Sequence, residues 1–134
     1  MDTQQPLFSV HDRSELLALW RLIAEAKFQA DPDDTDLWGS PFVHSLAQKV
    51  ADAMLADYLA QGDKEAVERH HRWCASLPKN IVLPVVKAQL KKDTKETWWS
   101  EATDERKMAY VRGCIAPFTA DEEFIVSLIH EAEV

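Results

Sequence analysis

Apolar side chains in this chain return at steps of three and four, and residues that start or stop helices bracket each such stretch. No other feature of the sequence constrains the fold as tightly. Between residues 16 and 28, Leu16, Leu17, Trp20, Ile23, Ala24 and Phe28 share one face of a helix, with Asp12 and Glu15 as a capping pair ahead of it. Ser40-Pro41 places a cap and a first-turn proline before Val43, Leu46, Val50, Ala53 and Met54, and Gly62 ends that helix. Asp63 caps the next, whose inward stripe is Ala66, Val67, His70, Trp73, Cys74 and Leu77 until Pro78 stops it.

The second half repeats the pattern. Ile81-Val-Leu-Pro-Val-Val is β-branched and continuously apolar, so a strand competes there. Pro84 and the following Lys87-Ala-Gln-Leu-Lys-Lys favour a helix from near Leu83, with the proline in its first turn. Thr103-Asp-Glu opens a further helix with Met108, Val111 and Ile115 on its apolar side, closed by Pro117. Thr119-Ala-Asp-Glu reads as a capping box before Phe124, Ile125, Leu128 and Ile129, a stripe that either closes the core or meets a copy of itself.

Only three glycines occur among 134 residues, so the tight turns of a sheet-rich protein lack their usual residue. The expected fold is all-α: a compact orthogonal or bundle-like array of five to six short helices, containing an αα-hairpin around Gly62. One domain over residues 1–134 accounts for the length, with residues 1–11 a flexible or loosely packed N-terminal segment. The hairpin run Asp57-Tyr-Leu-Ala-Gln-Gly-Asp-Lys-Glu-Ala-Val-Glu is similar to the turn of a tetratricopeptide repeat, in which a glycine ends the first helix and an alanine packs inside the second. No second copy follows at that family's period of about 34 residues, and such arrays need about three repeats to bury their faces. The likeness therefore reflects shared turn chemistry and assigns no family.

No run reaches the roughly 18 apolar residues of a membrane span, and the polar start Met1-Asp-Thr-Gln-Gln lacks the regions of a signal peptide. Two isolated cysteines, Cys74 and Cys114, do not make a disulfide framework, so a cytoplasmic, reducing location is expected. The net charge of −8 is segregated: residues 1–68 carry 5 basic and 13 acidic groups, residues 69–95 carry 7 and 1, and residues 96–134 carry 3 and 9. A basic segment thus lies between two acidic ones, and a strongly basic partner would meet the acidic N-terminal half.

Three constellations bear on function. Lys87, Lys91 and Lys95 recur every fourth residue beside Lys92, directly before Trp98 and Trp99. Adjacent helical side chains point about 100° apart, so one tryptophan faces inward and the other marks an interface. Ammonium groups beside aromatic rings also suit single-stranded nucleic acid, which the overall negative charge disfavours. Glu68, His70, His71 and Cys74 form the densest set of metal-type donors: His70 and Cys74 share a helical face, and Glu68 and His71 have Glu-x-x-His spacing. No second Glu-x-x-His completes a di-iron set, so a core-facing His70, a partly exposed His71 and a buried Cys74 explain the cluster without metal. Asp31, Asp33, Asp34 and Asp36 have the oxygen spacing of calcium ligands but lack an EF-hand's glycine and terminal glutamate, which leaves a solvated loop as the simpler reading.

A Gly-rich phosphate loop, a Gly-x-Ser-x-Gly elbow, His-Glu-x-x-His and Cys-x-x-Cys are all missing, although an enzyme can assemble its site from distant residues. The balance favours a non-enzymatic protein–protein interaction module, an adaptor, inhibitor or immunity-type protein, without cofactor. Its binding residues would be Lys87, Lys91, Lys92, Lys95, Trp98 and Trp99. The alternatives are a metal-binding or enzymatic protein using Glu68, His70, His71 and Cys74, and a nucleic-acid binder using residues 87–95 with Trp98 and Trp99. A protein partner, no membrane, and a monomeric or weakly dimeric state complete the expectation.

Overall fold

The computed structural model describes residues 5–32 and 36–134. Residues 1–4 of the expected flexible N-terminal segment, and Asp33 and Asp34 of the acidic loop, lie outside the described residues. All regular structure among the described residues is helical. The described residues form eight helices rather than five to six: α1 Arg13–Lys27, α2 Asp36–Gly39, α3 Pro41–Ala60, α4 Lys64–Ala75, α5 Val82–Asp93, α6 Thr97–Glu101, α7 Asp104–Ile115 and α8 Glu122–Glu133. The additional two, α2 and α6, are four and five residues long. Pieces so short complete too little of the 3.6-residue period to show in an apolar pattern.

Local chemistry explains most boundaries. Side chains of Asp12, Ser40, Asp63 and Thr103 accept hydrogen bonds from first-turn N–H groups of α1, α3, α4 and α7. Gly62, at φ +67, supplies the left-handed residue that turns the chain between α3 and α4. Of the contested residues 81–86, Ile81 is the N-cap and 82–86 are helical, and buried Val82, Val85 and Val86 fall on one face at three- and four-residue steps. At α8 the cap is Asp121, which accepts from the Phe124 N–H at 2.8 Å. Thr119, the expected cap, instead donates from its N–H to the Cys74 carbonyl at 2.8 Å and so ties the chain before α8 to the end of α4. Asp121 wins because it stands next to the first helical residue, where its carboxylate reaches the unpaired N–H groups and the positive end of the helix.

α3 packs against α1, α2, α4 and α7, while α8 packs against α5 and α7. α7 also touches α5, so it joins the two groups, and the core gathers around it: Val111, Cys114 and Ile115 meet Val82, Val86, Leu90, Trp99, Phe118, Ile125 and Leu128. Ile125, Leu128 and Ile129 are buried, so the α8 stripe closes this core.

The inward face of α3 is rotated from the expected one. His44, Ala47 and Ala51 are buried beside Val50 and Met54, whereas Leu46 is 51% exposed. Small residues on that face let α1 and α7 approach closely, and closeness of backbones outweighs the larger apolar area that Leu46 would have hidden.

Candidate interaction site

The basic stretch divides in two. Lys87 pairs with Glu131 at 3.3 Å and Lys91 donates to the main-chain oxygen of Val134, so the first half leans on α8. α5 stops at Asp93, where the Thr94 hydroxyl donates to the Lys91 carbonyl, and Lys95 therefore lies beyond the helix and off its face. Lys92 and Lys95 are exposed and make no ion pair among the described residues.

α6 separates the two tryptophans as adjacent helical positions require. Trp99 is 3% exposed, donates from Nε1 to Glu133 at 3.0 Å and lies under the Lys107 ammonium. Lys107 itself pairs with Glu133 at 2.9 Å, and these two donors hold the Glu133 carboxyl below the usual range, Lys107 first. Trp98 is half-buried, edge-on to Tyr110 at 4.9 Å, with the Arg106 guanidinium 5.6 Å from its ring centroid.

Trp98 lines a groove of about 960 Å³ between the N-terminal half of α3 and the outer face of α7. His44, Asp93, Arg106, Tyr110 and Arg112 are its other principal groups. The Tyr110 hydroxyl donates to Asp93 at 2.8 Å. Burial raises the Asp93 carboxyl above its ordinary range and the hydrogen bond opposes that rise; burial pushes Tyr110 up as well. His44 donates from Nε2 to the Trp38 carbonyl at 3.0 Å, and a carbonyl can only accept, so Nδ1 carries the free lone pair. Desolvation, then the charge of Lys27, brings His44 down to about 4, which makes it a neutral imidazole near pH 7.

Two of the three glycines permit this arrangement. A Cβ at Gly113 would stand 2.5 Å from His44 Nδ1, and one at Gly39 would stand 3.0 Å from the Tyr110 hydroxyl. Behind the groove wall Lys27, fully buried, donates to the carbonyls of Gly113, Cys114 and Ala116 at 2.8, 2.7 and 2.8 Å. They belong to the last turn of α7 and to its C-cap Ala116, and the Gly113 carbonyl also accepts from the Ala116 N–H at 3.2 Å, so a lysine from α1 caps that helix from the side.

Sequence reasoning missed the groove. Its residues come from five helices, α2, α3, α5, α6 and α7, and Lys27, three residues after Ala24 and next to Phe28, carries a charge for which a solvated position is the ordinary expectation. The glycines were the available signal: with only three in the chain, Gly39 just before the Ser40-Pro41 helix start and Gly113 inside a helix called for a close-approach explanation.

The metal-type cluster spreads out in space. His70 is buried and its Nε2 lies 3.6 Å from the Cys74 sulfur, but His71 and Glu68 are exposed. Desolvation, then neighbouring His71, lowers His70, and desolvation raises the Cys74 thiol, so this pair is neutral. Among the described residues no three His, Cys, Asp or Glu side chains converge as a metal site. Of the acidic loop, Asp31 is exposed and Asp36 opens α2.

Comparison with protein-family models, curated proteins and solved structures returns no match. Among the described residues no helix is long and apolar enough to cross a membrane.

Proposed function

We propose that this chain is a non-enzymatic protein–protein interaction module that docks its partner through the surface around Trp98. The observation that carries the reading is a local reversal of charge. On a chain of net charge −8, Lys92, Lys95, Arg106 and Arg112 form no ion pair among the described residues; the two arginines line one groove with half-exposed Trp98, and the two lysines lie within two residues of Asp93 in its wall. Cations beside an aromatic ring steer a partner and then anchor it.

In this reading one domain serves as the scaffold, α3 and α4 form an αα-hairpin around Gly62, and residues 5–11 take no part in docking. The binding set is Lys92, Lys95 and Trp98, while Lys87, Lys91 and Trp99 stabilise the fold. The protein works in the cytoplasm as a monomer.

The test is capture from extract with the purified chain as bait, with and without nuclease. A stoichiometric, nuclease-resistant protein partner is expected, kept by Lys87→Glu and lost by Lys92→Glu/Lys95→Glu. Retention of nuclease-sensitive material alone would replace this reading with nucleic-acid binding.

A further inference from the structure

The two long walls of the groove differ in charge. α3 contributes neutral groups, Ser45, His44 and Gln48, whereas α7 contributes Arg106 and Arg112. The two arginines are six residues apart, which places their Cα atoms about 9 Å apart along the helix axis. Ala109 between them and Gly113 next to Arg112 keep the wall low, so the trough stays open beside Tyr110 and Trp98.

Two carboxylates also belong to the lining. Asp93 is engaged by the Tyr110 hydroxyl at 2.8 Å and held in the wall, and Asp36 stands in the first turn of α2. The guanidinium groups are therefore the exposed charges of the α7 wall, and they lack a carboxylate among the described residues.

Shape narrows the class of ligand. Ser45, Gln48, Arg106, Ala109 and Arg112 are all exposed, so the trough is open along its length and does not enclose a small molecule as binding cavities do. An extended peptide suits it, because such a chain brings its own N–H and C=O groups to Ser45 and Gln48. In an extended chain of the polyproline II type, with three residues per turn, carboxylates three residues apart project from the same side and span about 9 Å, close to the spacing of the two arginines. A nucleic-acid backbone suits it less, since its continuous phosphates would meet Asp36, Asp93 and a molecule of net charge −8.

We infer that the groove between α3 and α7 seats an extended acidic segment of a protein partner. Two of its carboxylates, three residues apart, pair with Arg106 and Arg112, and an apolar side chain between them rests on Trp98 and Tyr110. This inference rests on the interaction-module reading and deepens it.

The probe is a fluorescein-labelled peptide, Gly-Glu-Leu-Ser-Glu-Leu-Gly, followed by polarisation and by NMR of the arginine Nε–H and tryptophan Nε1–H signals. Its lysine-for-glutamate counterpart and an oligothymidylate serve as comparisons. Saturable binding of the acidic peptide is expected, with shifts at Arg106, Arg112 and Trp98. Arg106→Glu/Arg112→Glu should weaken it at least about tenfold, because two attractive contacts become repulsive, and Arg69→Glu on α4 should leave it unchanged. No saturable binding, shifts centred elsewhere, or tighter binding of oligothymidylate would overturn the inference. The extract experiment separates the two levels. A protein partner held equally by wild type and by Arg106→Glu/Arg112→Glu removes the groove while leaving the module, whereas no partner on wild type removes the module itself.

Discussion

At Lys27 three ammonium hydrogens meet three carbonyl oxygens, so a charge that would be prohibitive alone becomes the cap of α7. Burial still lowers it from 10.5 to about 7. Between those values the unfolded chain binds more protons than the folded one, so stability rises as pH climbs from 7 towards 10. His44 acts in the same direction over a lower window: its folded value of about 4 lies below the unfolded 6.5, so its contribution is complete above 6.5 and is lost as pH falls towards 4. Urea unfolding at about pH 5, 7 and 9 is expected to give free energies in ascending order, and Lys27→Met should flatten the step above pH 7. That variant should also cost about 1–3 kcal/mol near neutral pH, because the buried carbonyls of Cys114 and Ala116 lose the Lys27 donor. Gly113→Ala drives a methyl into the His44 ring and should cost roughly 1–3 kcal/mol in the same assay.

At the scale of the helix, boundaries were legible wherever one side chain sets them. Asp12, Ser40, Asp63 and Thr103 act as caps where the sequence places them, because a cap depends on neighbours in sequence alone. α8 shows the limit: Thr119 and Asp121 both fit a capping pattern, and Thr119 is drawn away by the Cys74 carbonyl, a partner 45 residues distant. Asp121→Ala should therefore lower stability by about 1 kcal/mol, several times more than Thr119→Ala, measured by thermal unfolding. The tryptophan pair divides in the same physical way. Trp99→Ala opens the core between α5, α7 and α8 and should cost about 3–5 kcal/mol, whereas half-exposed Trp98→Ala should cost clearly less and show its effect in partner binding.

Across the whole molecule, the helical class was legible because periodicity and caps agree along the chain. The groove was not. Its walls come from α3 and α7, its tryptophan from α6, its aspartates from the ends of α2 and α5, and no spacing in sequence records that meeting. The basic stretch was legible as composition, but its division was not, because only the fold brings Glu131 and Val134 up to Lys87 and Lys91. What remains for a partner is a small positive surface on a negative protein. Association should accordingly slow as salt rises from low to physiological concentration, with a smaller change in the dissociation rate. The most direct test is amide hydrogen exchange of the chain with and without its captured partner. Slowed exchange is expected in residues 93–113 and at the start of α3, with α4 unchanged. Protection confined to α4 or to the end of α8, with residues 93–113 exchanging as in the free protein, would contradict it.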